Sequence, residues 1–517
     1  MPDVRDVTIP FPTKGLIKRF GYSHQPPNST PYSLNVYPYE WETGRERGGV
    51  RPGIGTATTG PTDPSFWCEA TWRVNGGGSL RGVAVSGTDG TYFYIGSGWS
   101  KPISTASGST FTTCTVYDDW LIQGDLGSTI GSTKIQCYNL YESATGNLTD
   151  AQAACFPTAL GLTKAGTAPT NCGIVQRWND RLMVAGSLEN PHRLFASKMG
   201  NILDWDYTNV ALSGAWTSTG AEGGQIGEPI TALIPHNKDC LLIGCTDSLY
   251  VMRGNPRAGG SLYNLSEKIG PIMHSAWCKD GSDTTWMLTR HGLWKMPPGC
   301  GQPPVSVSRE VLPDDLNGLS PVSGSKFSIS YDERFRGLHI LIKTNSERIQ
   351  YFYDLQSGGF WKQDLGFDFL LAPEYKAGGV GDNSACVFLS SSNSYSFGLE
   401  ATQIDEDIDS ELWLGPFAIA DQGTTGILSS IQAVLSEDSG NVGWSLYVAD
   451  SPQEAYNGKA TFVGSNWTRQ GLNHRQYPRT RGTVFFLKLE DVAYSRWSFE
   501  EIMARVVATG ARRVSGD

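Results

Sequence analysis

The segments Asp119-Trp120-Leu121-Ile122-Gln123-Gly124, Asp180-Arg181-Leu182-Met183-Val184-Ala185-Gly186 and Asp239-Cys240-Leu241-Leu242-Ile243-Gly244 share one layout: an Asp, a short apolar run, then Gly. Their Asp residues recur about 60 positions apart. Asp bonds its own turn backbone readily, so each marks a turn that leads into a strand. Looser versions are Thr285-Trp286-Met287-Leu288-Thr289 ahead of His291-Gly292, Gly337-Leu338-His339-Ile340-Leu341-Ile342, and Ala385-Cys386-Val387-Phe388-Leu389. A second apolar run follows closely at Ser248-Leu249-Tyr250-Val251-Met252 and at Gly292-Leu293-Trp294-Lys295-Met296, which spells a hairpin. Strand sets repeating every 40 to 60 residues or so indicate a β-propeller-like array of small antiparallel sheets. At roughly 45 residues per blade the region holds about six to eight blades. A string of β-sandwiches is the alternative, and the propeller is preferred.

Working outward, residues 1–60 differ from the rest. Five prolines between Pro26 and Pro52 exclude a helix or a central strand. This part reads as an extended N-terminal arm that packs on the propeller or on a neighbour. Its basic residues Arg45, Arg47 and Arg51 are the candidate partner contacts, with a solvated turn as the plain alternative. The propeller is expected over 61–400. The acidic run Asp405-Glu406-Asp407-Ile408-Asp409 marks a boundary, and 401–517 reads as a C-terminal β-sandwich-like or closing-blade domain. Strand alternation there runs through Trp444-Ser445-Leu446-Tyr447-Val448 and Thr483-Val484-Phe485-Phe486-Leu487-Lys488-Leu489.

Composition agrees with a turn-rich, mainly β chain. Of 517 residues, 61 are Gly and 28 Pro, and charged residues make up only 18%, below the roughly 25% of average proteins. The net charge of −10 argues against a general nucleic-acid binder, which needs clustered Lys and Arg, but not against a wall that phosphates slide past. No window is apolar enough for a membrane helix, so no stable membrane insertion is expected. Met1 to Lys14 holds no apolar core, so no secretory signal is expected. The ten scattered cysteines are then expected to be reduced core thiols, with Cys240 and Cys245 as packing residues.

The search for chemistry is mostly negative. There is no G-x-S-x-G elbow, no H-E-x-x-H, no phosphate loop and no dinucleotide fingerprint. Seven singly placed histidines give no metal spacing. No catalytic residue, cofactor or metal is expected, and the chain reads as a non-enzyme. Ser436-Glu437-Asp438-Ser439-Gly440 starts like the Asp box of sialidase-type propellers, but its Trp444 falls one position late. Asp405, Glu406, Asp407 and Asp409 are the only dense carboxylates for a glycosidase, and a solvated linker explains them better. Trp41, Trp67, Trp72, Trp99 and Trp120 are candidates for stacking on sugars or, preferably, for blade core. A scaffold of the WD type is disfavoured, since the G-H…W-D setting is missing.

Several stretches together resemble the tail nozzle or hub proteins of short-tailed phages (the tail tubular protein B-like, DNA-stabilisation hub group). They are Arg193-Leu194-Phe195-Ala196-Ser197-Lys198-Met199-Gly200-Asn201-Ile202-Leu203-Asp204-Trp205, Gly227-Glu228-Pro229-Ile230-Thr231-Ala232-Leu233-Ile234-Pro235 with the hairpin ending Tyr250-Val251-Met252-Arg253-Gly254, and Lys268-Ile269-Gly270-Pro271-Ile272-Met273-His274-Ser275 leading to Arg290-His291-Gly292-Leu293-Trp294. Leu34-Asn35-Val36 and Gly44-Arg45-Glu46-Arg47-Gly48-Gly49-Val50-Arg51-Pro52-Gly53 match the opening segment, and Trp497-Ser498-Phe499-Glu500 with Gly510-Ala511-Arg512-Arg513 the closing one. The resemblance implies a structural virion protein of the tail, made in the host cytoplasm. It implies a homo-oligomeric ring, usually of six copies, below a portal-bound adaptor protein. Tail fibre, tailspike or needle proteins would be further partners, and genomic DNA would pass through the lumen without sequence preference. A carbohydrate-binding or glycoside-cleaving propeller of a virion surface is the competing expectation.

Overall fold

The computed structural model describes residues 3–511 apart from 40–44, 46, 56, 74–78, 95–97, 106–108, 130–132, 151–153, 158–159, 219–225, 300, 313, 377–383, 398–407 and 421–423. Strands dominate, and the one α-helix among the described residues is the six-residue Pro452–Asn457.

Seven four-stranded antiparallel sheets follow one another along the chain: blade 1 (66–104), blade 2 (109–147), blade 3 (172–217), blade 4 (230–266), blade 5 (277–306), blade 6 (326–363) and blade 7 (374–396). The apolar runs singled out above are the second strands of blades 2 to 7, among them Trp120–Gly127, Arg181–Ser187, Cys240–Cys245 and Gly337–Lys343. The Asp turns link first strand to second. In blade 3, Trp178 pairs with Arg181 across Asn179 (φ 50°) and Asp180 (φ 52°). A two-residue turn with both φ positive matches the right-handed twist of a hairpin, and Asn and Asp tolerate it best.

Apolar side chains on each blade meet those of the next. Ile234, Leu242 and Val251 of blade 4 pack on Met287 and Met296 of blade 5. Val83 and Val85 of blade 1 pack on Leu371, Val387 and Leu389 at blade 7, which closes the circle. Burying such a side chain stabilises by roughly 1.5–3 kcal/mol, so the walls hold the ring together. Strand pairing also seals it. Blade 7 takes its fourth strand, Thr58–Thr59, from the N-terminal segment. Ser394 Oγ lies 2.7 Å from Thr58 Oγ1 and accepts a hydrogen bond from Trp99 Nε1 of blade 1 at 3.0 Å.

Two five-stranded sheets form a β-sandwich beside blades 6 and 7. One orders Asp3–Ile9, Phe499–Ala511 and Thr424–Leu435, the last pairing also with Gly471–Leu472 and Thr480–Gly482. The other orders Ser33–Leu34, Glu411–Ala418, Val484–Asp491, Val442–Ala449 and Phe462–Val463. Trp444 and Trp467 stack at 5.1 Å in the core between them. That core runs on into the propeller, because Phe11 lies 5.5 Å from the rings of both Trp361 in blade 6 and Phe499 in the sandwich. A Cβ on Gly48 would sit 1.8 Å from the Phe11 ring, so only glycine fits there. The opening and closing stretches of the sequence meet at this point: the Val50 amide donates to the Trp497 carbonyl at 3.0 Å, and the Phe499 amide to the Gly48 carbonyl at 3.2 Å.

Two expectations need correction. Arg51 is not a surface cation: it is buried, and its guanidinium donates to Asn35 Oδ1 (2.9 Å) and to the carbonyls of Pro52 (2.8 Å) and Asp364 (2.9 Å). It serves as an internal pin between the N-terminal segment and blade 6. The cysteines are not all thiols either. Among the described residues eight are free, but Cys240 is disulfide-bonded. Spacing along the chain does not reveal which sulfurs meet in space.

Candidate functional site: the two faces of the propeller

The strand directions define two faces. Turns between first and second strands, and between third and fourth, lie on one, called here the turn face; second-to-third turns and the links between blades lie on the other. On that second face the ring is plugged. His274, in the link entering blade 5, reaches across to blades 1 and 2: its Nε2 is 2.9 Å from the Ser65 carbonyl, and its ring lies 4.1 Å from Phe111 and 5.8 Å from Phe66. The next residue, Ser275, donates its hydroxyl to the Phe327 carbonyl of blade 6 at 2.8 Å. Burial drives the His274 pKa down to about 3, so the imidazole is neutral and packs as part of the stopper.

On the turn face two recesses of about 620 and 660 Å³ meet at Arg177. Its guanidinium lies 5.0 Å from the centre of the Tyr117 ring and pairs with Asp118 at 3.1 Å and Asp180 at 3.7 Å. Lys279 likewise pairs with Asp283 at 3.2 Å. Burial, helped by the Asp118 carboxylate, pushes the Tyr117 phenol up to about 12, which keeps it a donor to the Asp180 carbonyl at 2.9 Å. Each of the two cations thus has a carboxylate partner of its own.

Further out on the same face, the connection between the third and fourth strands of blade 3 carries a projection. Val210 and Leu212 at its tip are 88% and 63% exposed. Two arginines hold it from beneath. Arg181, itself buried, donates to the carbonyls of Ser197 (2.7 Å), Gly214 (2.6 Å) and Leu212 (3.2 Å) and to Asn255 Oδ1 (3.2 Å). Arg257 of blade 4 donates to the carbonyls of Tyr207 (2.7 Å) and Ala215 (2.7 Å). The stretch Arg193 to Trp205 builds the base: Gly200 (φ 68°) donates its amide to the Asp180 carbonyl at 2.8 Å, Asn201 Oδ1 accepts from the Leu203 amide at 3.0 Å, and buried Trp205 donates its Nε1 to the Ile202 carbonyl at 2.8 Å. The exposed apolar tip therefore stands on a fixed base, with Asp206 beside it. The Thr208 hydroxyl and amide hold the Asp206 carboxyl below the usual range, so it stays charged.

The opposite face carries a recess of about 840 Å³ where blade 4 passes to blade 5. Half-buried Leu265, Ile269 and Trp294 supply its apolar lining, and exposed Lys268 and Arg309 its cationic rim, with His291 and Glu267 among them.

Of the residues singled out in the sequence, Arg45 is exposed and Arg47 pairs with Glu500 at 3.0 Å, while Arg51 is buried; the three do not form one surface cluster. Trp67, Trp99 and Trp120 pack within blade walls, and Trp41 and the side chain of Trp72 lie outside the described residues. Asp405, Glu406 and Asp407 also lie outside them. The Asp-box-like stretch is a turn of the sandwich, where the Gly440 amide donates to the Arg496 carbonyl at 2.6 Å. Val210 and Leu212 carried no sequence signal of their own, and only their exposure reveals them; Lys268, Ile269, His291 and Trp294 of the recess fall in stretches quoted from the sequence. Among the described residues one group of potential metal ligands, Asp332, His339 and Cys386, comes together inside the wall between blades 6 and 7.

No protein-family model matches the chain, and no curated protein does. Among solved structures it is similar to the extracellular domain of a putative one-component system from B. thetaiotaomicron, with 11% identity, a TM-score of 0.42, and coverage of 78% of this chain and 45% of that one. A putative hybrid two-component system of the same organism gives 10%, 0.41, 80% and 47%. A calcium-binding protein, regucalcin, from Agrobacterium tumefaciens gives 8%, 0.31, 57% and 92%. The chain spans less than half the length of the two sensor domains. The seven-sheet ring itself is what places this protein among the β-propellers.

Proposed function

We propose that the chain is a structural subunit of a ring, the nozzle or hub of a short phage tail, that retains packaged DNA and conducts it during ejection. The observation that carries this reading is the presence of a rigid apolar projection on one face and of a partly apolar recess on the other. A surface that fits a different surface of the same molecule gives head-to-tail contacts, which close into a ring when the rotation per copy divides the circle. The charges agree, since Asp206 flanks the projection and Lys268 and Arg309 rim the recess. The contacts of His274 across the propeller fit as well, because they put the conduit between copies, six of them by the family resemblance. A net charge of −10 suits a wall that does not trap phosphate. No chemistry is assigned to the chain, and its place is the virion tail, between an adaptor above and fibre, spike or needle proteins below. The carbohydrate-binding propeller stands as the alternative reading, with half-buried Trp294 in the recess as its candidate stacking residue.

Mass photometry of the purified full chain across concentration tests this. A discrete closed oligomer is expected. The double variant Val210→Asp, Leu212→Asp should cut affinity by about three decades, since burying the two side chains contributes about 4 kcal/mol per contact, and should leave the thermal midpoint unchanged. Asp206→Lys should weaken assembly, and Lys268→Glu in the same chain should restore part of it. A wild-type chain that stays monomeric throughout removes the ring; a ring indifferent to the double variant removes this contact and keeps the ring. Copy number in purified virions, relative to the portal, then decides whether the ring belongs to a tail.

A further inference from the structure

Asp332 ends the first strand of blade 6, His339 lies in its second strand, and Cys386 lies in the second strand of blade 7. All three are buried, at 2%, 0% and 1% exposure. One donor atom from each lies within 4.8 Å of the other two, with Asp332 Oδ2 and His339 Nε2 3.2 Å apart. The Cys386 sulfur is also 3.8 Å from the Tyr331 carbonyl. Phenylalanine rings of residues 352, 388 and 397 surround the imidazole at 5.4, 5.0 and 5.2 Å. The other Asp332 oxygen accepts the amides of Arg334 (3.0 Å) and Phe335 (3.2 Å), which fixes the carboxylate in place. His339 Nδ1 is buried with no hydrogen-bond partner.

An apolar wall is a costly place for a carboxylate, an imidazole and a thiol brought together, unless something joins them. One sulfur, one nitrogen and one oxygen donor make a mixed set that suits zinc. Tetrahedral zinc at its usual bond lengths places nitrogen and oxygen ligands about 3.4 Å apart, and sulfur about 3.6 Å from either. The carboxylate–imidazole separation already matches that edge. A thiolate and a carboxylate together cancel a divalent charge, so the loaded group is neutral, as its phenylalanine surroundings require.

We propose that Asp332, His339 and Cys386 hold one divalent transition-metal ion of the zinc class, with the Tyr331 carbonyl near enough to complete four-coordination. The group is enclosed, so its role is structural: the ion ties blade 6 to blade 7, next to the seam where the propeller closes. Metal binding releases the thiol proton and adds its free energy to folding.

The test is elemental analysis of the full chain, purified without chelator from zinc-supplemented medium, followed by cobalt substitution. About one zinc per chain is expected, falling below a tenth in Cys386→Ser and in His339→Gln. Because either variant places a new polar group in a packed wall, the wild-type chain carries a second readout. After chelation and reloading with Co²⁺ it should show a near-ultraviolet thiolate-to-cobalt band together with the visible bands of a tetrahedral ion. Failure of the wild-type chain to take up a stoichiometric metal overturns the proposal, as does bound cobalt with no thiolate band, or a band that survives Cys386→Ser.

Discussion

Arg181→Met keeps the aliphatic stem and removes the guanidinium beneath the projection. Four hydrogen bonds go with it. The Leu212 carbonyl keeps a donor, Asn255 Nδ2 at 3.0 Å, so the main losses are at the Ser197 and Gly214 carbonyls. A hydrogen bond from a charged donor contributes roughly 1.5–3 kcal/mol net, which puts the gross loss at about 3–6 kcal/mol. Part of that is offset. Arg181 has no carboxylate among its bonding partners, and burial together with the nearby Arg257 pulls its pKa down to about 10, so the native state already bears a desolvation cost that methionine relieves. A net loss of about 3 kcal/mol follows, or about two decades in the local opening equilibrium. Hydrogen exchange resolves this where a global melt of a propeller fused to a sandwich does not. The amides of Met199 and Gly214, bonded to Ser213 and Ala211 carbonyls, should exchange about a hundredfold faster, while blade 6 amides stay unchanged. Unaltered exchange over 199–215 would mean that the projection does not depend on the arginine pin, and the preorganisation argument would fall with it.

Two further outcomes are expected. His274 has its folded pKa lowered from 6.5 to about 3, by burial first and then by repulsion from Lys326, against the pull of the Ser65 carbonyl. The stability it confers is therefore full above pH 6.5 and is lost progressively as pH falls toward 3, by up to roughly 5 kcal/mol; His274→Gln should flatten the thermal midpoint between pH 7 and 4, and an equally steep profile would exclude the plug as the acid-sensitive point. Alkylation of the unfolded, unreduced chain should leave Cys240 unlabelled by peptide mapping until reduction; labelling of Cys240 beforehand would exclude its disulfide.

The sequence made the propeller legible through its second strands. In blades 2 to 4 each is an apolar run between a turn residue and glycine, buried on both faces, and so unusually plain. Blade 1 escaped because Ser79–Gly87 interleaves glycine, serine and arginine with its valines. The outer strands escaped because several are two residues long, such as Trp216–Thr217 and Thr58–Thr59, and two residues have no period. Arg51 was misread as a surface cation because its acceptor Asp364 lies 313 positions away. The same distance effect hid Asp332, His339 and Cys386, which no ligand spacing along the chain connects. The projection was invisible for a different reason: Val210 and Leu212 are ordinary in sequence and unusual only in being held out into solvent.

The pairing of Asp3–Ile9 with Phe499–Ala511 sets a timetable. On the ribosome the first of these strands emerges long before the second; at roughly 5–20 residues per second the interval is about 25 to 100 seconds. The propeller needs only Thr58–Thr59 and residues up to 396, so it can close while the sandwich still lacks its partner strand. Through that interval the earliest strand has an open edge and invites mispairing with other nascent chains. A chain of this topology completes its sandwich only after Phe499–Ala511 has emerged, which separates closure of the propeller from closure of the sandwich in time.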